Sequence, residues 1–152
     1  MSDEREPAAA ARAIIDANRY MVLATADRSG RPWPSPVYYA PAGYREFYWV
    51  SAPDARHSRN LDARPDVGIV IFDSSSPIGA GEAVYMSASA RELEGDELED
   101  GIAVFSRRSL EHGAEAWTVS DVEAPARLRL YRAIAAEHYV LDARDRRVPV
   151  DL

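Results

Sequence analysis

The chain has 152 residues, a formal charge of -7 and no cysteine. That length suits one domain with its own core. The missing cysteines exclude disulfides, thiolate nucleophiles and cysteine metal sites and fit a reducing cytoplasm, and the acidic balance argues against a nucleic-acid binder, which needs a basic surface. All 18 basic residues are Arg, so no lysine is present to form a Schiff base, cradle a phosphate or act as a general base. The first fifteen residues lack the basic region and apolar core of a signal peptide, and no apolar run approaches the ~20 residues of a membrane span. The expectation is a soluble cytoplasmic protein.

Residues 7–18 read as a short N-terminal helix, with Pro7 in the first turn and Ala10, Ile14, Ile15 and Asn18 at helical spacing. Residues 20–26 are strand-like, and residues 27–30 form a turn that places Gly30 where positive φ is needed. A second strand, 31–40, carries prolines at 32, 34 and 36. Their missing N–H groups all lie on one edge, so this half of the strand belongs at the margin of a sheet. After a turn at 41–45, residues 46–51 complete three antiparallel strands in sequence. Pro53 and Asp54 then open a short helix, with Asp54 as its cap, that runs through Leu61 and ends at Arg64 and Pro65. The run 67–72 is apolar at nearly every position, which predicts a strand covered on both faces.

A polar segment at 73–81 leads to a long strand at 82–93, with Val84, Met86, Ala88 and Ala90 on one side. The period then changes. Leu98, Ile102, Phe105 and Ser109 fall on one stripe of a helix over 96–110, acidic at its start and basic at its end. Residues 111–125 read as an irregular helical piece holding Trp117, residues 128–142 as a strand and 146–152 as a tail. No repeat, linker or low-complexity tract divides the chain, so one domain over 1–152 is expected. Six strands with a helix between the third and fourth predict a mainly β fold, a small antiparallel barrel with flanking helices.

Chemistry concentrates at the helix after residue 53. Arg56, Arg59 and Asn60 share one side of a helical turn by spacing, His57 lies beside them, and Ser51 and Ser58 add hydroxyls. A helix start offers unpaired N–H groups and partial positive charge, and Arg adds a fork shaped for phosphate oxygens. This is a candidate phosphate-binding corner, whose ligand affinity should fall as pH rises if His57 contributes its charged form. No metal site is expected, because His57, His112 and His138 are scattered. There is no nucleophile-elbow pattern for a hydrolase, and Gly79 and Gly81 precede a strand, the wrong context for a dinucleotide loop. Trp33, Tyr38, Tyr39, Trp49, Tyr85 and Trp117 are candidates to line a flat aromatic ligand, or simply to fill the core.

The order of Ser35-Pro36-Val37-Tyr38, a strand ending in Trp49-Val50-Ser51, the Arg-His helix turn through Asn60 and Leu61, then Pro65 and VGIVIF, resembles the pyridoxamine 5'-phosphate oxidase-like, FMN-binding split barrels. The resemblance covers roughly residues 18–93. It implies a six-stranded split barrel and a homodimer with FMN at the interface. It places the main chain of Pro36, Val37 and Tyr38 along the isoalloxazine edge, Trp49, Val50 and Ser51 beside the ribityl chain, and Ser51 at the phosphate. Arg56 and His57 match the family's Arg-Lys phosphate pair, with His in place of Lys, and Asn60 follows as a further cofactor contact. The family's C-terminal stretch rich in Arg and His is not reproduced in residues 142–152. The implied activity is therefore FMN-dependent oxidoreduction of a small substrate other than pyridoxamine phosphate. A deazaflavin-dependent reductase, or a flavin or haem binding protein without turnover, are the alternatives on the same barrel.

Overall fold

The computed structural model describes residues 6–152. Chain order is α1 (Pro7–Ala17), β1 (Tyr20–Ala26), β2 (Pro32–Tyr38), β3 (Ala40–Ala42), β4 (Glu46–Ser51), α2 (Arg56–Ala63), β5 (Asp66–Phe72), β6 (Ala83–Glu92), α3 (Gly95–Glu111), β7 (Arg129–Leu141) and β8 (Arg147–Val150). The strands form one antiparallel sheet in the order β2-β1-β5-β6-β7-β4-β3, with β8 added to β7. Its curled inner face carries Met21, Leu23, Ile69, Ile71, Val84, Met86 and Ala133, closed by Ile14 and Ile15 of α1. The outer face of β4 and β7 is covered by α3, whose Leu98, Ile102 and Phe105 pack on Tyr48 and Leu130. The predicted helical stripe, Ser109 included, is thus the buried one.

Local chemistry explains the joints. In the β1–β2 turn the Asp27 carboxylate accepts the N–H groups of Ser29 (2.8 Å) and Arg31 (3.0 Å), and Gly30 takes φ 86°. Arg108 of α3 donates to the carbonyls of Asp16 (3.3 Å) and Asn18 (3.1 Å), so a cation closes the C-terminal end of α1. At Gly101 the helix meets the sheet so closely that a Cβ would lie 2.8 Å from the Tyr48 ring and 3.0 Å from Leu93 and Leu130.

Several expectations need correction. There are eight strands rather than six. The predicted strand 31–40 divides at Tyr39, whose N–H still bonds Arg19 O (3.1 Å), after which Ala40–Ala42 pairs with β4 instead. The predicted tail supplies β8, paired with β7. The first three strands do not form a continuous ladder, because β4 pairs along its whole length with β7. The helix cap is Ala55, not Asp54, and it makes no side-chain bond. Beyond the end of α3 at Glu111, only Val119–Asp121 of the segment to 125 is helical, a single tight turn closed by Thr118 and Asp121. The two-sided burial expected of β5 is one-sided in this chain: Val67, Ile69 and Ile71 are buried, Val70 is half-buried, and Phe72 is 46% exposed.

Candidate functional site

The alternation of antiparallel pairing decides which backbone groups near the corner are free. Asp27 N–H bonds Arg31 O (3.0 Å) and Tyr39 N–H bonds Arg19 O (3.1 Å), both in the β1–β2 register. Hydrogen-bonded pairs recur every second residue, so Trp33, Ser35 and Val37 turn their N–H and C=O groups to β1. The backbone groups of Pro32, Pro34, Pro36 and Tyr38 face away, along the last edge of the sheet. β4 alternates in the same way. Ala135 N–H bonds Arg45 O (2.8 Å) in the β4–β7 register, so Trp49 and Ser51 face β7 while Val50 faces the side where β3 lies. The β3–β4 ladder ends at Ala40 and Tyr48. Beyond it, β2 and β4 belong to opposite ends of the sheet order, leaving a split between the outer edge of β2 and the end of β4.

The mouth of this split carries the residues of the candidate anion corner. The first N–H groups of α2 have no partner within the helix, and Ala55 offers no side chain to cap them. Ser51 Oγ and His57 Nε2 share a 2.8 Å hydrogen bond across the β4–α2 loop. Burial holds the His57 pKa below the usual imidazole value, so its ring is neutral at neutral pH. The exposed Arg56 guanidinium lies 4.3 Å from the centre of the Trp33 ring, which ties the start of β2 to the start of α2.

Of the residues assigned from sequence, Ser51, Arg56 and His57 come together at this corner. Asn60 does not: α2 turns it inward, where it is 6% exposed and donates to Thr25 Oγ1 (3.0 Å), while Thr25 donates to Trp33 O (3.2 Å). The face shared by Arg56, Arg59 and Asn60 is therefore divided, with Arg59 exposed and Asn60 in the core. Ser58 is likewise buried, donating to Ala52 O (2.8 Å). Trp49 is fully buried and stacks on Tyr131, with ring centres 5.6 Å apart. Its indole N–H has no partner. Val37 is also a core residue with its backbone paired to Met21. Pro36, Tyr38 and Val50 present backbone groups to the split.

Two features had no clear sequence signal. Tyr38 OH and His112 Nδ1 lie 2.6 Å apart although 74 residues separate them, within an aromatic group that includes Tyr20 and Phe105. Burial raises the Tyr38 pKa and lowers that of His112, and the nearby Arg108 and Arg19 cations also lower His112. The Thr25–Asn60 bond joins residues 35 apart, and Thr25 belongs to no motif. Trp33 was legible as an aromatic candidate, whereas its contact with Arg56 depended on the fold. Among the described residues no group of three or more His, Asp or Glu is placed to hold a metal ion, and no helix is long and apolar enough to cross a membrane.

Similar folds occur in solved structures. A heme binding protein from Mycobacterium smegmatis aligns with a TM-score of 0.74 at 22% identity, covering 97% of this chain and 59% of that protein. HutZ, the heme storage protein of Vibrio cholerae, aligns with a TM-score of 0.67 at 23% identity over 85% of this chain and 90% of its own. Campylobacter jejuni ChuZ aligns at 0.70 and 12% identity over 91% and 58%. This chain thus spans less than two thirds of the first and third, and at these identities the fold is what is shared. No curated protein matches the chain. The family model described as pyridoxamine 5'-phosphate oxidase matches residues 8–141, and with that match across most of its length the chain belongs to the pyridoxamine 5'-phosphate oxidase family.

Proposed function

We propose that this protein is a flavin-dependent oxidoreductase that holds FMN in the split between β2 and β4 and acts on a small substrate. The observation that carries this reading is the uncapped start of α2 flanked by Arg56 and the Ser51–His57 pair. Helix-start N–H groups and an Arg fork are the elements of a phosphate monoester site. Bound FMN would supply the electron chemistry, leaving the chain to bind and orient it. Arg56, Ser51 and His57 would hold the phosphate, and the backbone of Pro36, Tyr38 and Val50 would line the rest. Pyridoxamine phosphate is disfavoured as substrate because residues 142–152 do not reproduce the family's C-terminal stretch rich in Arg and His; of the arginines there, Arg146 lies beside Asp142 (3.0 Å) and Arg147 beside Asp145 (3.7 Å).

The test is titration of the purified protein with FMN, followed by flavin fluorescence. Saturable binding near one equivalent per chain is expected. A second reading, a haem-binding protein without turnover, is favoured by the two heme proteins among the similar structures. A Soret band saturating with hemin in a protein that ignores FMN would replace the first reading with the second, and binding of a 5-deazaflavin alone would change the cofactor.

The pH dependence of FMN affinity isolates His57. A bound phosphate raises the imidazole pKa from its lowered value in the free protein. The extra affinity is greatest below the free-protein pKa and is lost as pH rises through the ligand-bound one. The phosphate's own second ionisation, near pH ~6, acts in the opposite direction. Comparison with His57→Gln cancels it, so wild type should lose its advantage over the variant as pH rises from below the lowered free-protein value through the raised ligand-bound one. Parallel profiles would remove His57 from the site.

The outer face of β1, β2 and β5 supports a homodimer. Val22, Ala24, Pro34, Pro36, Gly68 and Val70 lie side by side there in register, beyond the cover of α3, with Phe72 and Tyr20 46% and 62% exposed. Sedimentation should find a dimer for wild type and a monomer for Val70→Glu, which places a charge in the middle of the patch. A monomeric wild type at tens of micromolar would sink the homodimer.

A further inference from the structure

Trp33 lies outside both core clusters and is 40% exposed at the start of β2, yet it is tied to α2 in two ways. The Arg56 guanidinium lies over its ring, 4.3 Å from the centre. Its carbonyl accepts from Thr25 Oγ1 (3.2 Å), and Thr25 Oγ1 accepts in turn from Asn60 Nδ2 (3.0 Å). Arg56 and Asn60 are one turn apart on the same helix, so these contacts close a circuit from α2 through β1 to β2 and back. Thr25 and Asn60 are both buried, and hydrogen bonds in series away from water strengthen one another. They fix the backbone of Trp33 relative to the start of α2.

An aromatic face attracts a cation, whereas a guanidinium carries its N–H donors in its own plane. Stacking therefore orders Arg56 without consuming a donor, and among the described residues its guanidinium makes no hydrogen bond or ion pair. The nearby Asp27 carboxylate acts on it through space only, being occupied by the N–H groups of Ser29 and Arg31. A ligand that must first immobilise a free arginine loses part of its binding energy to that ordering. We propose that Trp33 is a positioning residue of the anion corner: its ring holds the Arg56 fork ready for a phosphate monoester, and the Asn60–Thr25 chain holds Trp33. This rests on the reading of the corner as the FMN phosphate site. It makes phosphate affinity depend on a residue that need not touch the phosphate, and it gives buried Asn60 a part at two removes from the ligand.

The test is a double-mutant cycle on FMN affinity, read by flavin fluorescence. Trp33→Ala should weaken FMN binding about three- to tenfold, the cost of ordering one long side chain on binding. Trp33→Phe, which keeps an aromatic face, should restore most of that loss. Trp33→Leu, apolar but without a π face, carries the same expectation as Trp33→Ala and replaces it in the cycle should the alanine variant fail to fold. In an Arg56→Ala background the Trp33 substitution should cost nothing further. Riboflavin, which has the ring and the polyol chain but no phosphate, should bind wild type and the Trp33 variant alike. An equal loss with and without Arg56, or a matching loss for riboflavin, would overturn the role and make Trp33 a wall of the ligand path. Unchanged FMN affinity in the Trp33 variant would overturn it as well, while a weakened Arg56→Ala would leave the phosphate corner standing. If wild type binds no FMN, the flavin site and this role fall together.

Discussion

Arg56→Ala is expected to lower FMN affinity by about tenfold to a hundredfold, since a hydrogen-bonded charge contributes roughly 1.5 to 3 kcal/mol. Folding stability should hardly change, because Arg56 is exposed and its packing is confined to the face of Trp33. Arg59→Ala is the control. It removes the same charge from the same helix at another exposed position, so it reports the long-range effect of one fewer cation on an acidic protein. Titration of wild type and both variants with FMN, at one salt concentration, separates the two effects. Equal affinity in wild type and Arg56→Ala would remove the phosphate corner, and an equal loss in both variants would reduce it to a general charge effect.

Trp49→Ala is expected to do the reverse, costing about 3 to 5 kcal/mol of folding stability with no ligand present. The side chain is fully buried and stacks on Tyr131 at an interplanar angle of 14°. Its removal opens a large cavity on the inner face of the sheet, where rigid ladders on either side limit collapse. Denaturant unfolding of the ligand-free protein measures this. A loss below about 1 kcal/mol would show that Trp49 is not a core element, and would return it to the ligand path that the family resemblance suggested. The two variants together divide Trp49, which supports the site from behind, from Arg56, which faces it.

Much of the fold was legible because it depends on near neighbours along the chain. The period of Leu98, Ile102, Phe105 and Ser109 marks the buried stripe of α3, and Asp27 with Gly30 makes a turn without help from elsewhere. Alternating prolines place β2 at a sheet margin, and the sheet order puts it there. The Arg-His pair after a strand end marks a helix start, with a one-residue error because Asp54 is a plausible cap and Ala55 is not.

What the residues alone determined is thus most of the elements, the short strands β3 and β8 excepted, together with the family pattern and the presence of cations and hydroxyls around a helix start. The tertiary structure decided which of those groups share a site. Helical spacing groups Arg56, Arg59 and Asn60, but Thr25, 35 residues earlier in the chain, supplies the bond that turns Asn60 inward. Strand spacing cannot tell whether Trp49 or Val50 faces a ligand, because that depends on which neighbour takes the odd-numbered backbone groups, and the neighbour is β7, some eighty residues along the chain. Pairing partners are chosen by the burial of whole faces rather than by sequence proximity. The proline edge of β2 lies at the meeting of these two levels: the prolines are written in the sequence, and only the pairing of β2 with β1 alone shows that their carbonyls point outward.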